Sequence, residues 1–266
     1  MVKRKHQTIQ IPIQGYQISC LFSYPKDKET YPLVLYFHGG GFSMGSGSLI
    51  QSTPIGRALH KFKFVLLSPS YTLMKGPGTG YPRQFDECYA TLEYALSHAE
   101  ELCIDKDRII IAGDSAGGNL AVAVTYKAID NGIKIHAHIP LYPMLSAKET
   151  SMNFTVKAHF WDGKRNKAAW ETYLSNIQGE TPDYASPSLR INLKGMPPCY
   201  TFISDQEPFY EETMAYIARL KETGVEATVD IFHSSFHSFD CFYPFTKNAR
   251  KAMHAYYVRL SDFLSR

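Results

Sequence analysis

Residues 107–123 read DRIIIAGDSAGGNLAVA, a pattern that indicates the fold class. The apolar run from Ile109 to Ala112 is typical of a strand buried on both faces, and a helix-like pattern begins a few residues later. Between them Ser115 stands among glycines, so we expect a sharp turn that presents the serine hydroxyl outside the sheet. A phosphate-binding loop would instead have a lysine after the glycines, where Asn119 stands. The stretch therefore predicts a nucleophilic serine on a strand-to-helix turn.

Apolar runs and helical patterns alternate along the rest of the chain. The 266 residues are 44% hydrophobic, which is enough to bury the core of one large domain spanning 1–266. Repeated alternation of strand and helix predicts an α/β fold with a mostly parallel central sheet covered by helices on both faces. Strands are expected at 7–13, 16–24, 33–37, 64–67, 109–112, 135–141, 200–203 and 227–232, and helices near 55–62, 83–103, 117–131, 209–223 and 247–264.

The interval from about 146 to 195 breaks this alternation, because it has no buried-strand pattern. Its aromatic residues are separated by polar ones, and they are Phe154, Phe160, Trp161, Trp170 and Tyr173. Long excursions of this kind in compact domains usually have a function. We therefore expect a helical cap inserted over the strand ends, with a surface excursion of no function as the alternative.

The charge and cysteine content restrict the partners and the compartment. The net charge is +3, which gives no reason to expect binding to nucleic acid or to an anionic membrane. The five cysteines are scattered and lack CxxC spacing, so we expect reduced thiols, no metal site and no cofactor. The basic residues near Met1 run into polar ones, and no apolar stretch is long enough to span a bilayer. Together these features predict a cytoplasmic protein.

A run of glycines supplies the second candidate part of a site. Residues 38–42 read HGGGF and directly follow the strand expected at 33–37. Consecutive glycines at a strand end can direct several backbone N–H groups at one point, as an oxyanion hole requires. A flexible loop is the alternative for the glycines alone. Beside a nucleophilic serine, however, the amides of Gly40, Gly41 and Ala116 are expected to hold the oxyanion of an acyl-transfer intermediate.

These two motifs resemble those of a known family. HGGGF at 38–42 and GDSAGGNLA at 113–121, in that order, are similar to the hormone-sensitive-lipase-like branch of the α/β-hydrolases. Three further elements resemble the family's DYRLAPE, FPAALDD and ASP regions, namely 69–73, 81–86 and 185–187. The resemblance implies the α/β-hydrolase fold and a catalytic triad in which the serine is followed by the acid and then by the histidine.

Three histidines lie late enough in the chain to be the base, and they are His233, His237 and His254. His254 falls in a helical pattern near the end, where a surface position is expected. The sequence His237-Ser238-Phe239 follows the last expected strand and matches the family's His-Gly-Phe except for Ser238. His237 is therefore the expected base, and His233 remains the alternative.

Two acidic residues compete for the third position of the triad. Where the family reads DPLRDEG, this chain reads SDQEPFYEE at 204–212. Alignment on Pro208 makes Glu207 the acid, whereas Asp205 lies nearer the end of the preceding strand. Either carboxylate could orient an imidazole, so Glu207 is the expected acid on motif register and Asp205 remains the alternative.

The resemblance implies a serine carboxylesterase whose partner is a small-molecule ester. Family members often carry N-terminal helices that cover the pocket, but here residues 7–24 are expected to be strands, which leaves the cover to 146–195. A smaller cover predicts an open pocket and short acyl chains, from acetyl to butyryl. Two alternatives remain: another serine hydrolase chemistry such as arylformamide cleavage, and a non-catalytic small-molecule receptor on the same fold. A homodimer would also be consistent with the family.

Overall fold

The computed structural model describes residues 1–27, 29–53, 55–157, 159–233 and 236–266. Within these ranges eight strands form one sheet, and they are β1 Arg4–Ile13, β2 Tyr16–Pro25, β3 Tyr31–Phe37, β4 Val65–Pro69, β5 Ile104–Asp114, β6 Ala137–Leu141, β7 Cys199–Ser204 and β8 Ala227–Phe232. The α-helices are α1 Arg83–Ser97, α2 Ala116–Asp130, α3 Gly163–Tyr173, α4 Tyr210–Glu222, α5 Phe239–Phe242 and α6 Lys247–Ser265. Short 3₁₀ helices lie at Gly47–Ser52, Ile55–His60 and Pro187–Leu189.

The sheet is parallel except at one edge. Its strand order is β1-β2-β4-β3-β5-β6-β7-β8, and only the β1–β2 and β2–β4 pairs are antiparallel. Every residue of β3, β4, β6 and β7 is buried, which requires cover on both faces of the sheet. The predicted α/β fold with a mostly parallel central sheet is confirmed.

The turn between β5 and α2 brings the backbones of a helix and a strand very close together. Ser115 has a φ of 56°, and its N–H donates to the carbonyl oxygen of Leu141 at 2.9 Å. A Cβ added to Gly117 would lie 2.1 Å from the carbonyl oxygen of Phe37, at the end of β3. Only glycine fits at this position, so α2 begins directly against the end of β3 and Ser115 stands at the corner between them.

Several elements differ from their predicted bounds, and two of them differ most. β5 begins at Ile104 rather than Ile109, because its first residues pair with Tyr31 and Pro32 of β3 before a register shift. The helix expected near 83–103 ends at Ser97, and Cys103 has a φ of 56°, a conformation that a right-handed helix excludes.

The interval 146–195 contains α3, the 3₁₀ turn Pro187–Leu189 and irregular chain, and Ala158 lies outside the described residues. The Tyr173 ring at the end of α3 is fully buried and stacks on the Phe42 ring with centroids 4.0 Å apart. This contact fixes α3 against the loop that follows β3. The division of the chain into one domain with a cap at about 146–195 stays a prediction.

In the part of the chain that the structure describes, no helix is both long and apolar enough to cross a membrane. The cytoplasmic location and the homodimer stay predictions.

Gly117→Ala is expected to lower the free energy of unfolding by roughly 3 kcal/mol, because the added methyl group would collide with backbone that cannot move independently. The measurement is chemical denaturation followed by circular dichroism.

Gly132→Ala is the matched control. Gly132 has a φ of +71° and open space around its Cα, so alanine there meets only the left-handed backbone penalty, about 1 kcal/mol. Equal losses in the two variants would contradict the steric role assigned to Gly117.

Candidate active site

Three side chains predicted from the sequence meet at the carboxyl edge of the sheet. The Nε2 atom of His237 lies 2.8 Å from Ser115 Oγ, and its Nδ1 atom lies 3.3 Å from Glu207 Oε2. All three side chains are buried. The imidazole therefore bridges a hydroxyl and a carboxylate, the arrangement that can activate a nucleophile.

The sheet topology explains this convergence. Ser115 directly follows β5, while Glu207 and His237 lie in the loops after β7 and β8. β5, β6, β7 and β8 are parallel and adjacent, so their carboxyl ends lie along one edge of the sheet. The His237 ring is also held edge-on by the rings of Tyr142 and Phe209, at centroid distances of 5.2 and 5.0 Å.

Burial controls the electrostatics of Glu207. The side chain is fully buried, and desolvation raises the pKa of its carboxyl group, an effect that the nearby His237 opposes. A positive charge on His237 would be paired by this carboxylate in a site of low dielectric constant. A carboxylate so placed can stabilise a positive charge that forms transiently on an imidazole during acyl transfer.

The alternative acid and the alternative base contact each other instead. Asp205 Oδ2 lies 2.5 Å from Nδ1 of His233, whose side chain is 90% exposed. The described contacts join neither residue to Ser115 or to His237. His254, the third candidate base, lies on α6.

The glycine loop after β3 faces the same point. Gly40 and Gly41 have φ values of 108° and 57°, and both line the cavity that contains Ser115. Among the described residues, the amide N–H groups of Gly40, Gly41 and Ala116 donate no hydrogen bond to the protein. These amides are therefore available to a ligand, as an oxyanion hole requires.

Asp114 joins this loop to the serine turn. Its Oδ1 atom accepts hydrogen bonds from the N–H of Gly39 at 3.0 Å and from the hydroxyl of Tyr36 at 2.8 Å. The side chain next to Ser115 thus braces the loop that carries Gly40 and Gly41.

His38 anchors the other side of the loop. Its ring stacks on that of Tyr71 with centroids 4.1 Å apart, and its Nδ1 lies 2.8 Å from the carbonyl oxygen of Gly39. The Tyr71 hydroxyl donates to the carbonyl oxygen of His38 at 2.7 Å. Burial lowers the pKa of His38 to about 4, so this imidazole is neutral at pH 7.

A cavity of about 170 Å³ lies above Ser115. Several of its walls were not identified from the sequence, because Met44, Cys241 and Phe242 belong to no motif. The aromatic content of the 146–195 interval was the available signal for two others, Phe160 and Trp161. The lining consists of Gly40, Gly41, Met44, Asp114, Ser115, Phe160, Trp161, His237, Ser238, Cys241 and Phe242.

Comparison with known proteins identifies relatives along most of the chain. A family model described as the alpha/beta hydrolase fold matches residues 34–241. An arylesterase from Saccharolobus solfataricus is 28% identical over 235 residues, covering 87% of this chain and 76% of that protein. The carboxylesterase NlhH of Mycobacterium tuberculosis is 30% identical over 210 residues, covering 76% of this chain but 64% of that protein, which is less than two thirds of its length.

Solved structures agree in fold. A bacterial heroin esterase superposes with a TM-score of 0.91 at 27% identity, covering 98% of this chain and 84% of that one. EstE1, a thermophilic carboxylesterase cloned from a metagenomic library, superposes with a TM-score of 0.87 at 29% identity, covering 98% of this chain and 89% of that one.

Protonation of His38 is expected to destabilise the protein in acid. The folded protein binds this proton only near pH 4, whereas a histidine in the unfolded chain binds it near pH 6.5. The stabilisation is therefore present above pH 6.5 and is lost as the pH falls towards 4, by about 2 kcal/mol between pH 7 and pH 5.

His38→Gln removes this titration, so the difference in free energy of unfolding between wild type and variant should shrink by that amount from pH 7 to pH 5. Denaturant titrations at the two pH values measure it. A difference that is independent of pH would show that His38 is protonated in the folded protein as readily as in the unfolded chain.

Proposed function

The chain belongs to the hormone-sensitive-lipase-like branch of the α/β-hydrolase family, and from that premise we propose that it is a carboxylesterase of short acyl esters, from acetyl to butyryl. The observation that carries the proposal is the 2.8 Å contact between Ser115 Oγ and His237 Nε2. This contact lies beneath a small cavity and beside amides that have no partner among the described residues.

The proposed reaction proceeds through an acyl-enzyme. His237 removes the proton of Ser115 as the oxygen attacks the ester carbonyl, and the amides of Gly40, Gly41 and Ala116 bind the oxyanion. The tetrahedral intermediate collapses, and His237 gives the proton to the departing alcohol. Water then attacks the acyl-enzyme by the same route and releases the acid.

Glu207 would hold His237 in the productive tautomer. A carboxylate beside Nδ1 keeps the proton on that nitrogen, which leaves Nε2 free to accept the proton of Ser115. The contact distance of 3.3 Å is long for a hydrogen bond, and such contacts often tighten when substrate binds.

The size of the cavity supports a short acyl chain. Pockets for drug-sized ligands typically measure roughly 300–1,000 Å³, and the cavity above Ser115 measures about 170 Å³. Aromatic rings form much of its wall, so a small apolar group fits it better than a charged or long one.

Ser115→Ala and His237→Ala are each expected to lower kcat by about four to six orders of magnitude, because each removes part of one catalytic unit. The measurement uses p-nitrophenyl esters from acetate to decanoate. The expected kcat/KM is highest between acetate and butyrate and falls with longer chains.

Covalent labelling separates this proposal from its alternatives. A fluorophosphonate should label Ser115 in the native protein, and a folded native protein without labelling would favour the non-catalytic receptor. N-formyl aryl amines belong in the same substrate panel, and a preference for them over every ester would identify an arylformamidase instead.

Glu207→Gln and Asp205→Asn form a matched pair for the acid. We expect Glu207→Gln to lower kcat by about 10³- to 10⁴-fold, because the tautomer of His237 is no longer enforced. Asp205→Asn weakens only the contact with the exposed His233, so kcat should change by less than about threefold. The reverse order of losses would transfer the role to Asp205.

A further inference from the structure

The indole of Trp161 lies against the glycine loop. A Cβ added to Gly41 would lie 2.2 Å from Cη2 of Trp161, so the ring touches the backbone proposed to bind the oxyanion. Trp161 also lines the cavity above Ser115 and comes from the 146–195 interval, immediately before α3. The wall next to the reacting atoms is therefore a large ring supplied by the segment over the sheet.

A chain of buried amide groups holds this ring in place. Trp161 Nε1 donates to Asn166 Oδ1 at 3.4 Å, and Asn166 Nδ2 donates to the carbonyl oxygen of Asn153 at 2.8 Å. Asn153 Nδ2 in turn donates to Glu212 Oε2 at 3.4 Å. The side chains of Asn153, Asn166 and Glu212 are all buried, which makes each of these polar contacts costly to break.

Glu212 ties this chain to the body of the protein. Its Oε1 atom accepts hydrogen bonds from the N–H groups of Leu145 at 2.6 Å and Ser146 at 3.2 Å. Glu212 lies in the first turn of α4, the helix that follows the Glu207 loop. The hydrogen bonds from Trp161 through Asn166 and Asn153 therefore end on α4. The wall is thus built from contacts remote from the reaction centre.

The geometry of ester hydrolysis assigns a side of the cavity to each part of the substrate. The departing alcohol oxygen has to lie near Nε2 of His237, and the carbonyl oxygen has to lie at the amides of Gly40 and Gly41. The indole of Trp161 contacts Gly41 on the glycine side of the cavity, whereas the ring contacts of His237 among the described residues are with Tyr142 and Phe209. Phe160 and Phe242 also line the cavity and stack on each other with centroids 4.1 Å apart.

We propose that Trp161 ends the acyl site of this chain and so limits the length of the acyl group, with Asn166 and Asn153 as positioning residues. The inference rests on the proposed esterase function, because it names the part of the ester that this wall contacts. A change at Trp161 is therefore expected to alter the selectivity between acyl chains rather than the overall rate.

Trp161→Ala should open the acyl site. The ratio of kcat/KM for p-nitrophenyl octanoate to that for the acetate is expected to rise about 10- to 100-fold, because two or three further methylene groups could be buried. The change should appear mainly as a lower KM for the longer ester. If alanine unfolds the segment, Trp161→Phe truncates the same wall less severely and should shift the ratio in the same direction.

Trp170→Phe is the matched control. Trp170 is the other tryptophan of the chain and lies buried on α3, outside the cavity. Its Nε1 atom has no hydrogen-bond partner among the described residues, so phenylalanine removes no polar contact. The acyl-chain profile of this variant should match that of the wild type.

Asn166→Ala tests the positioning role. It should shift the octanoate-to-acetate ratio in the same direction as Trp161→Ala but by a smaller factor, about 3- to 10-fold. A variant that merely loses stability would change the melting temperature and leave this ratio unmoved, which would overturn the positioning role.

A second measurement keeps this inference separate from the proposed function. Ethyl p-nitrophenyl alkylphosphonates, with a methyl or a hexyl group on phosphorus, phosphonylate the nucleophilic serine and release p-nitrophenol. The reaction mimics acylation but is not followed by turnover. Trp161→Ala should raise the hexyl-to-methyl ratio of the phosphonylation rates. A wild type that neither hydrolyses esters nor reacts with the phosphonates would refute the esterase function. If the wild type reacts with the phosphonates but the hexyl-to-methyl ratio is the same in folded Trp161→Ala, only the role of Trp161 is refuted.

Discussion

The close approach of the first turn of α2 to the end of β3 is the constraint on which the rest of the site depends. Gly117 leaves no room for a side chain against the carbonyl oxygen of Phe37. The residue after Phe37 is His38, which opens the glycine loop. One backbone contact therefore brings the serine turn and the proposed oxyanion-binding loop together, and a larger residue at 117 would separate the two parts at once.

Buried carboxyl groups then position the backbone around this contact. Asp114 accepts from Gly39, Glu207 lies beside His237, and Glu212 accepts from Leu145 and Ser146. Burial raises the pKa of each carboxyl group, and for Glu212 to about 8. Backbone N–H groups or an imidazole oppose that rise in pKa in each case. These buried carboxyl groups therefore serve as hydrogen-bond acceptors within the structure.

The glycine loop and the 146–195 interval are in direct contact. Phe42 stacks on Tyr173 of α3, and Gly41 touches the indole of Trp161. The cavity at Ser115 is consequently lined both by a loop that carries a recognisable motif and by a segment that carries none.

The amino-acid sequence alone predicts the strand–turn–helix at 107–123, the glycine loop at 38–42 and a mostly parallel sheet, because the first two rest on local backbone requirements that only certain residues meet and the third on the alternation of strand and helix patterns. Motif register favours Glu207 over Asp205, but no physical property of the sequence separates them, since both follow β7 within three residues. Only the tertiary structure turns Glu207 inward to His237 and Asp205 outward to the exposed His233. It also decided that Trp161 reaches Gly41, because a contact made by irregular chain depends on packing with distant residues and leaves no periodic pattern to detect.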